Sequence, residues 1–318
     1  MADTIYFIVQ QTMFFTIPLL IVALGGMFSE RSGVINVALE GIMVFGAFCG
    51  IFFINIFQDS MSGQPLLILA LLVAAAAGML ISLLHAYASV NMKADQVISG
   101  TAINTLTPAL AVYVARMING VQQVNFRNTF RIAAVPGLSK IPILGGLFFR
   151  NTYITTYLGF IILIVSAIVL YRTCFGLRLR ACGEHPQAAD SVGINVYRMR
   201  YAGVMISGVL AGIGGLVFVI PTSTNFNATV AGYGFLALAV LIFGQWRPRR
   251  ILFAAFFFGL MKTISATYSG IPFLATLPIS NTVYKMVPYI ATLIVLTFTS
   301  RRSQGPKAAG VPYDKGAR

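Results

Sequence analysis

Charge is what this sequence has least of. Only 9% of its 318 residues are charged, and eight of them are acidic. Soluble domains carry roughly a quarter charged residues, so a chain that is 58% hydrophobic, with a mean hydropathy of +0.84, cannot be a water-soluble fold. Cysteine is scarce too: Cys49, Cys174 and Cys182 lie in apolar segments or at their edges without metal-ligand or redox spacing, which argues against a disulfide framework or a metal centre. The first apolar stretch, residues 6–28, has no basic residue before it and no small-residue cleavage site. It reads as a permanent span rather than a removable signal. The net charge of +14 is spread over short loops, whereas a nucleic-acid partner needs it gathered on one solvated surface. No nucleic acid is expected.

What the chain does have is long apolar runs. They lie near 7–28, 34–54, 65–90, 97–118, 154–173, 202–221, 230–244, 251–268 and 283–299. About 20 residues of helix cross roughly 30 Å of hydrocarbon, so the expected fold is an all-α integral membrane protein, a polytopic bundle of about nine spans (about eight to ten). The transmembrane domain occupies 1–300, followed by a basic tail, 301–318, rich in Gly and Pro. That composition predicts a tail disordered in solution or lying against anionic lipid. The run 230–244 is short and opens on Gly232 and Gly234, as a broken or re-entrant helix does. Gly208, Gly212, Gly214 and Gly215 give the sixth run a small-residue face for close helix packing.

Basic residues set the orientation. With the amino terminus outside, fifteen fall on the inner side and five, Arg116, Arg127, Arg131, Lys140 and Arg150, on or beside one outer loop, 119–153. The excess places the amino terminus outside and the carboxyl terminus in the cytoplasm. The outer loop, with Pro136-Gly137 and Ile141-Pro142, reads as an ordered, partly apolar cap or a connector.

The inner loop 175–200, FGLRLRACGEHPQAADSVGINVYRMR, is longer and more mixed than a connector requires. Pro186 suits the first turn of a short helix, Glu184 lies near the positive end of its dipole, and Gly193 suits its end. Ala188, Ala189, Val192 and Ile194 then offer a small apolar surface, to a docking partner or to lipid.

That loop resembles the coupling segment of permeases from the ATP-binding cassette importers for branched-chain amino acids, ribose and nucleosides. FSERSGVINVALEGIMVFGAF (28–48), ADQVISGTAINTL (94–106) and AGYGFLALAVLIFGQWRP (231–248) resemble the nucleoside and simple-sugar branch of the family. Tyr233 stands where many such permeases carry a basic residue. The resemblance implies a permease without catalytic residues, and no G-x-x-x-x-G-K-[ST] phosphate loop occurs in the chain. It implies that this chain binds no cofactor, with ATP and magnesium used by a separate ATPase. The other implied partners are a second permease, an extracytoplasmic binding protein and the lipid of a bacterial inner membrane. It assigns coupling to Gly183, Glu184, His185, Pro186, Ala188, Ala189 and Gly193.

Polar groups inside spans mark the candidate pathway: Asn36, Glu40, Ser99, Thr101, Asn104 and Lys262. Asn36 and Glu40, four apart, are expected to face the same way, meeting ribose hydroxyls in a cavity or tying one span to another. Ser99, Thr101 and Asn104 suit either a neutral solute or helix packing, and Lys262 either lines the path or snorkels. His85 reads as a packing residue. A simple-sugar permease, or a proton-coupled carrier built on Glu40 and His85, stands as the alternative.

Overall fold

The computed structural model describes residues 2–137, 139, 141, 144–270, 280–299 and 305–315. The expectations for Lys140 and Pro142, and for the tail at 301–304 and 316–318, fall outside these residues. The chain folds as helices: α1 (Ala2–Arg31), α2 (Leu39–Phe57), α3 (Gln64–Ala86, continued by a π-helical turn to Asn91), α4 (Gln96–Asn119), α5 (Leu144–Phe148), α6 (Ile154–Arg172), α7 (Cys174–Glu184), α8 (Pro186–Ser191), α9 (Val196–Thr222), α10 (Tyr233–Phe243), α11 (Pro248–Thr267) and α12 (Asn281–Thr299). Among the described residues, seven helices are long and apolar enough to cross a membrane. The expected runs 230–244 and 283–299 are the 11-residue α10 and the 19-residue α12.

Local chemistry sets the ends. Asp95 caps α4 by accepting from Val97 N (2.8 Å) and Ile98 N (3.0 Å), and Gly120, at φ +72°, closes it. Asn195 caps α9 through Arg198 N. At the far end, the 119–153 loop folds over the bundle. Residues Val124–Asn125 (β1) pair antiparallel with Asn225–Phe226 (β4), and Ile132–Ala134 (β2) pairs with Arg150–Thr152 (β3). Phe126 and Phe130 are buried, and Asn128 Nδ2 donates to Ile220 O at 2.6 Å, so this loop is an ordered cap.

Helix α9 is the axis of the bundle, packed against α1, α2 and α3. Its glycines make this possible. A Cβ at Gly212 would collide with Ala74 O on α3, and one at Gly215 with Met43 O on α2. Backbones in direct contact are how helices associate where lipid offers no hydrophobic contrast.

Three expectations change. The apolar run 34–54 does not start as helix: residues 34–38 are irregular and α2 begins at Leu39, so Asn36 and Glu40 do not share a helix face. Residues 174–184, expected as loop, form a helix, α7, so Glu184 ends α7 as well as standing just before His185 at the start of α8. The tail is not disordered over 305–315. Ala308 N donates to Gly183 O (2.9 Å), Gly310 N to Gly33 O (3.3 Å) and Arg200 Nη1 to Val311 O (3.0 Å), while Lys93 pairs with Asp314 at 2.7 Å. A Gly- and Pro-rich strand has no periodicity of its own, but it can be held by backbone bonds to a surface already built.

Candidate functional site

Residues 34–38 run as irregular backbone deep in the bundle. Asn36 Nδ2 donates to Ser207 Oγ at 2.9 Å, and Ser207 is eleven residues into α9, roughly 16 Å along it. Irregular backbone at that depth survives only if protein satisfies its polar groups, and here side chains do so. Gln96 Oε1 accepts from Ile35 N (2.7 Å), and His85 Nε2 donates to Ile35 O (2.9 Å). A carbonyl only accepts, so Nε2 carries a proton, while Nδ1 lies 3.0 Å from the Ser99 hydroxyl oxygen. Asn36 Oδ1 accepts from Ala38 N at 3.1 Å. Asn104 closes the set: its Nδ2 donates to Val37 O (2.9 Å) and its Oδ1 accepts from Gly41 N (2.7 Å).

Helix α10 ends against the same place. At 11 residues it covers roughly 16 Å, half a hydrocarbon core. Glu40, in the first turn of α2, accepts from Gly232 N (2.9 Å) and Gly234 N (2.6 Å) at the start of α10. The carboxylate thus caps the positive end of a half-length helix. Gly234 is required by the approach, since a Cβ there would strike Glu40 N and Cα.

Tyr233 follows at once and is 1% exposed. Its ring packs on Phe218 (centroids 4.0 Å apart) and Phe15 (6.4 Å). Lys262 from α11 brings its ammonium within 5.8 Å of that ring's centroid. Where the family resemblance suggested a basic residue at position 233, a cation therefore arrives from another helix. Tyr233, Phe235, Lys262 and Thr292 border a cavity of ≈ 490 Å³, within the range of small-molecule sites.

Of the pathway candidates, Asn36, Glu40, Ser99 and Asn104 converge on the start of α2, and Lys262 joins through Tyr233. Thr101 does not: it is exposed and donates to Ile98 O on its own helix. Sequence reasoning passed over Gln96 and Ser207, each a lone polar residue at the edge of or inside an apolar run, and read His85 as packing or, in the alternative, as part of a proton path. That signal was present, but their common partner, an irregular strand, was not.

The coupling candidates gather at the basic end. Pro186 opens α8 at its first turn, and Gly193, at φ +84°, closes it with its N–H on Asp190 O (2.9 Å). Ala189 is buried with Cys182, Val196 and Tyr313. His185, Ala188 and Val192 stand exposed, Val192 at 73%. Glu184 meets Arg31 at 3.5 Å and accepts from Lys307 N in the tail, and a Cβ at Gly183 would strike Arg31 O. Trp246 Nε1 donates to Glu30 Oε2 at 2.5 Å, fastening the α10–α11 turn to α1. Burial pushes the Cys182 thiol up to about 11, and the hydrogen bond that Lys93 donates to Asp314 pushes its ammonium above its ordinary value.

Comparison with known proteins fits this architecture. The chain is 45% identical over 313 residues to the guanosine ABC transporter permease protein NupQ of Bacillus subtilis, covering 98% of this chain and 97% of that one. It is 41% identical over 314 residues to the nucleoside ABC transporter permease protein NupC of Lactococcus lactis, 98% of each. A second nucleoside ABC transporter permease protein of that organism, NupB, is 34% identical over 119 residues, 36% of this chain and 33% of its own length. No solved structure matches. The family model for the permease component of branched-chain amino acid transport systems matches residues 8–296, and the chain belongs to that family of multi-pass membrane permeases.

Proposed function

We propose that this chain is the permease subunit of an ATP-binding cassette importer that carries nucleosides into the cell. The observation that carries the reading is the likeness, over nearly the whole chain, to two nucleoside permeases. The geometry is consistent with it. Beside the Glu40-capped start of α10, a cavity bordered by Tyr233, Phe235, Leu236 and Leu293, with Thr292 and Lys262 as its polar side chains, offers aromatic and apolar surface that suits a base.

In this reading the amino terminus lies outside, and the basic end faces the cytoplasm. The chain is no enzyme; a separate ATPase takes up the exposed edge of α8, and α7, held to α1 by the Glu184–Arg31 pair, passes its movement to the bundle. A second permease completes the path, as two nucleoside permeases of one organism suggest, and a binding protein delivers the solute to the cap.

The test is uptake of labelled guanosine, uridine and ribose into vesicles holding this chain, a second permease, the ATPase and the binding protein, with ATP inside or absent. Entry of nucleosides only with ATP supports the reading. Uptake that ignores ATP and follows a proton gradient would sink it, and ATP-driven entry of ribose alone would move the substrate to sugars.

A further inference from the structure

We propose that a cationic cleft at the basic end binds the phosphate of an anionic phospholipid headgroup. The cleft, ≈ 1180 Å³, lies where α6, α7, the start of α11 and the tail meet. Arg172 comes from the end of α6 and Arg180 from α7, whose guanidinium sits 5.0 Å above the Tyr171 ring. Arg247, Arg249 and Arg250 flank the first turn of the 20-residue α11, whose positive dipole end opens toward the same space. Arg31 forms the floor; its Nε is buried without a hydrogen-bond partner among the described residues.

Among the described residues the protein supplies this cleft with little counter-charge. Glu184 is the sole carboxylate lining the cleft among the described residues, and it already meets Arg31. Elsewhere Glu30 is engaged by Trp246, Glu40 by α10, Asp95 by the start of α4 and Asp314 by Lys93. Several guanidiniums drawn together with one shared acid form a site for an anion with several acceptor oxygens, which a phosphate provides.

One wall says which phosphate. Ala167, Ile168 and Tyr171 of α6 border the cleft, and Ile168 belongs to an outward stripe with Ile161, Ile164 and Val165, all at least half exposed. That i, i+3, i+4, i+7 spacing runs up the lipid-facing side of a spanning helix. A soluble anion has no use for such a wall. A phospholipid does: its phosphate enters the cleft and an acyl chain lies along the stripe.

The experiment is native mass spectrometry of the full chain in detergent with equimolar phosphatidylglycerol and phosphatidylcholine, with and without inorganic phosphate. Phosphatidylglycerol should be retained selectively, and Arg247→Gln with Arg250→Gln should lower its retention roughly thirtyfold. Both side chains are exposed, so folding should survive; should melting show otherwise, the exposed Arg172→Gln carries the same test at roughly fivefold. Equal retention of the two lipids, or variants that hold phosphatidylglycerol like the parent, overturns the proposal. Displacement by inorganic phosphate assigns the cleft to a free anion and overturns the lipid. Variants that keep the lipid and lose a co-purifying ATPase make the cleft a protein-docking surface, which also overturns it.

Discussion

Replacing Glu40 by glutamine removes the charge that holds α10 against α2 and changes almost nothing else in shape. The carboxylate accepts from two backbone N–H groups, at 2.9 Å and 2.6 Å. Charge-assisted bonds contribute ~1.5–3 kcal/mol each, against ~0.5–1.5 for neutral ones. Glutamine keeps one acceptor and turns a donor toward the other N–H, which leaves that group unmet at ~1–3 kcal/mol. The net loss is about 3 kcal/mol, felt where the start of the half-length α10 meets α2. The assay pairs a melting curve in detergent with ATP-driven guanosine uptake in vesicles. Glu40→Gln should melt lower and lose most uptake, while Glu40→Asp, which keeps the charge, should fall between it and the parent. A glutamine variant that melts and transports like the parent refutes the capping argument.

Three further outcomes follow from the packing. Gly212→Leu places a side chain where Ala74 O and Gly78 Cα already stand, and should abolish assembly, read as loss of the monodisperse peak in size-exclusion chromatography. With the Cys182 thiol fully buried and pushed up to about 11, maleimide at pH 8 should label exposed Cys174 and leave Cys182 silent until the chain unfolds. Deleting 305–318 should lower the melting temperature by stranding the buried Arg200, whereas Lys93→Met should leave it unchanged, because that pair is exposed and the backbone bonds of the tail remain. Lys93 has a raised folded pKa, so any contribution it makes is complete below its ordinary value and is lost only as pH climbs through the raised one; melting at pH 8 and pH 9 should therefore agree.

The spans were legible because hydrocarbon demands long apolar runs and little else. So was α8, whose Pro186 and Gly193 are local signals that act at short range. The start of α2 was not: residues 34–38 are as apolar as a helix, and what keeps them irregular is a set of partners 50 to 171 positions away, His85, Gln96, Asn104 and Ser207. Glu40 stood out as an acid in a span, yet its partners are amides of α10, and no pattern in side chains reveals an amide. Helix α7 hid for the opposite reason, since FGLRLRACGE is too polar to read as a span and was taken as loop. The order of the tail was hidden in the same way, resting on backbone bonds to Gly183 and Gly33.

The glycine contacts of α9 have a mechanical side. Where main chain touches main chain, as at Gly212 with Ala74 and Gly215 with Met43, there are no long side chains to slide or repack, so α2, α3 and α9 behave as one stiff plate. Helix α4 packs mainly on α2, while α6 and α11 lie against α1, outside that plate. If an ATPase pushes on α7, as proposed, the contact of α7 with α9 would pass that push to the plate as a whole rather than to one helix of it.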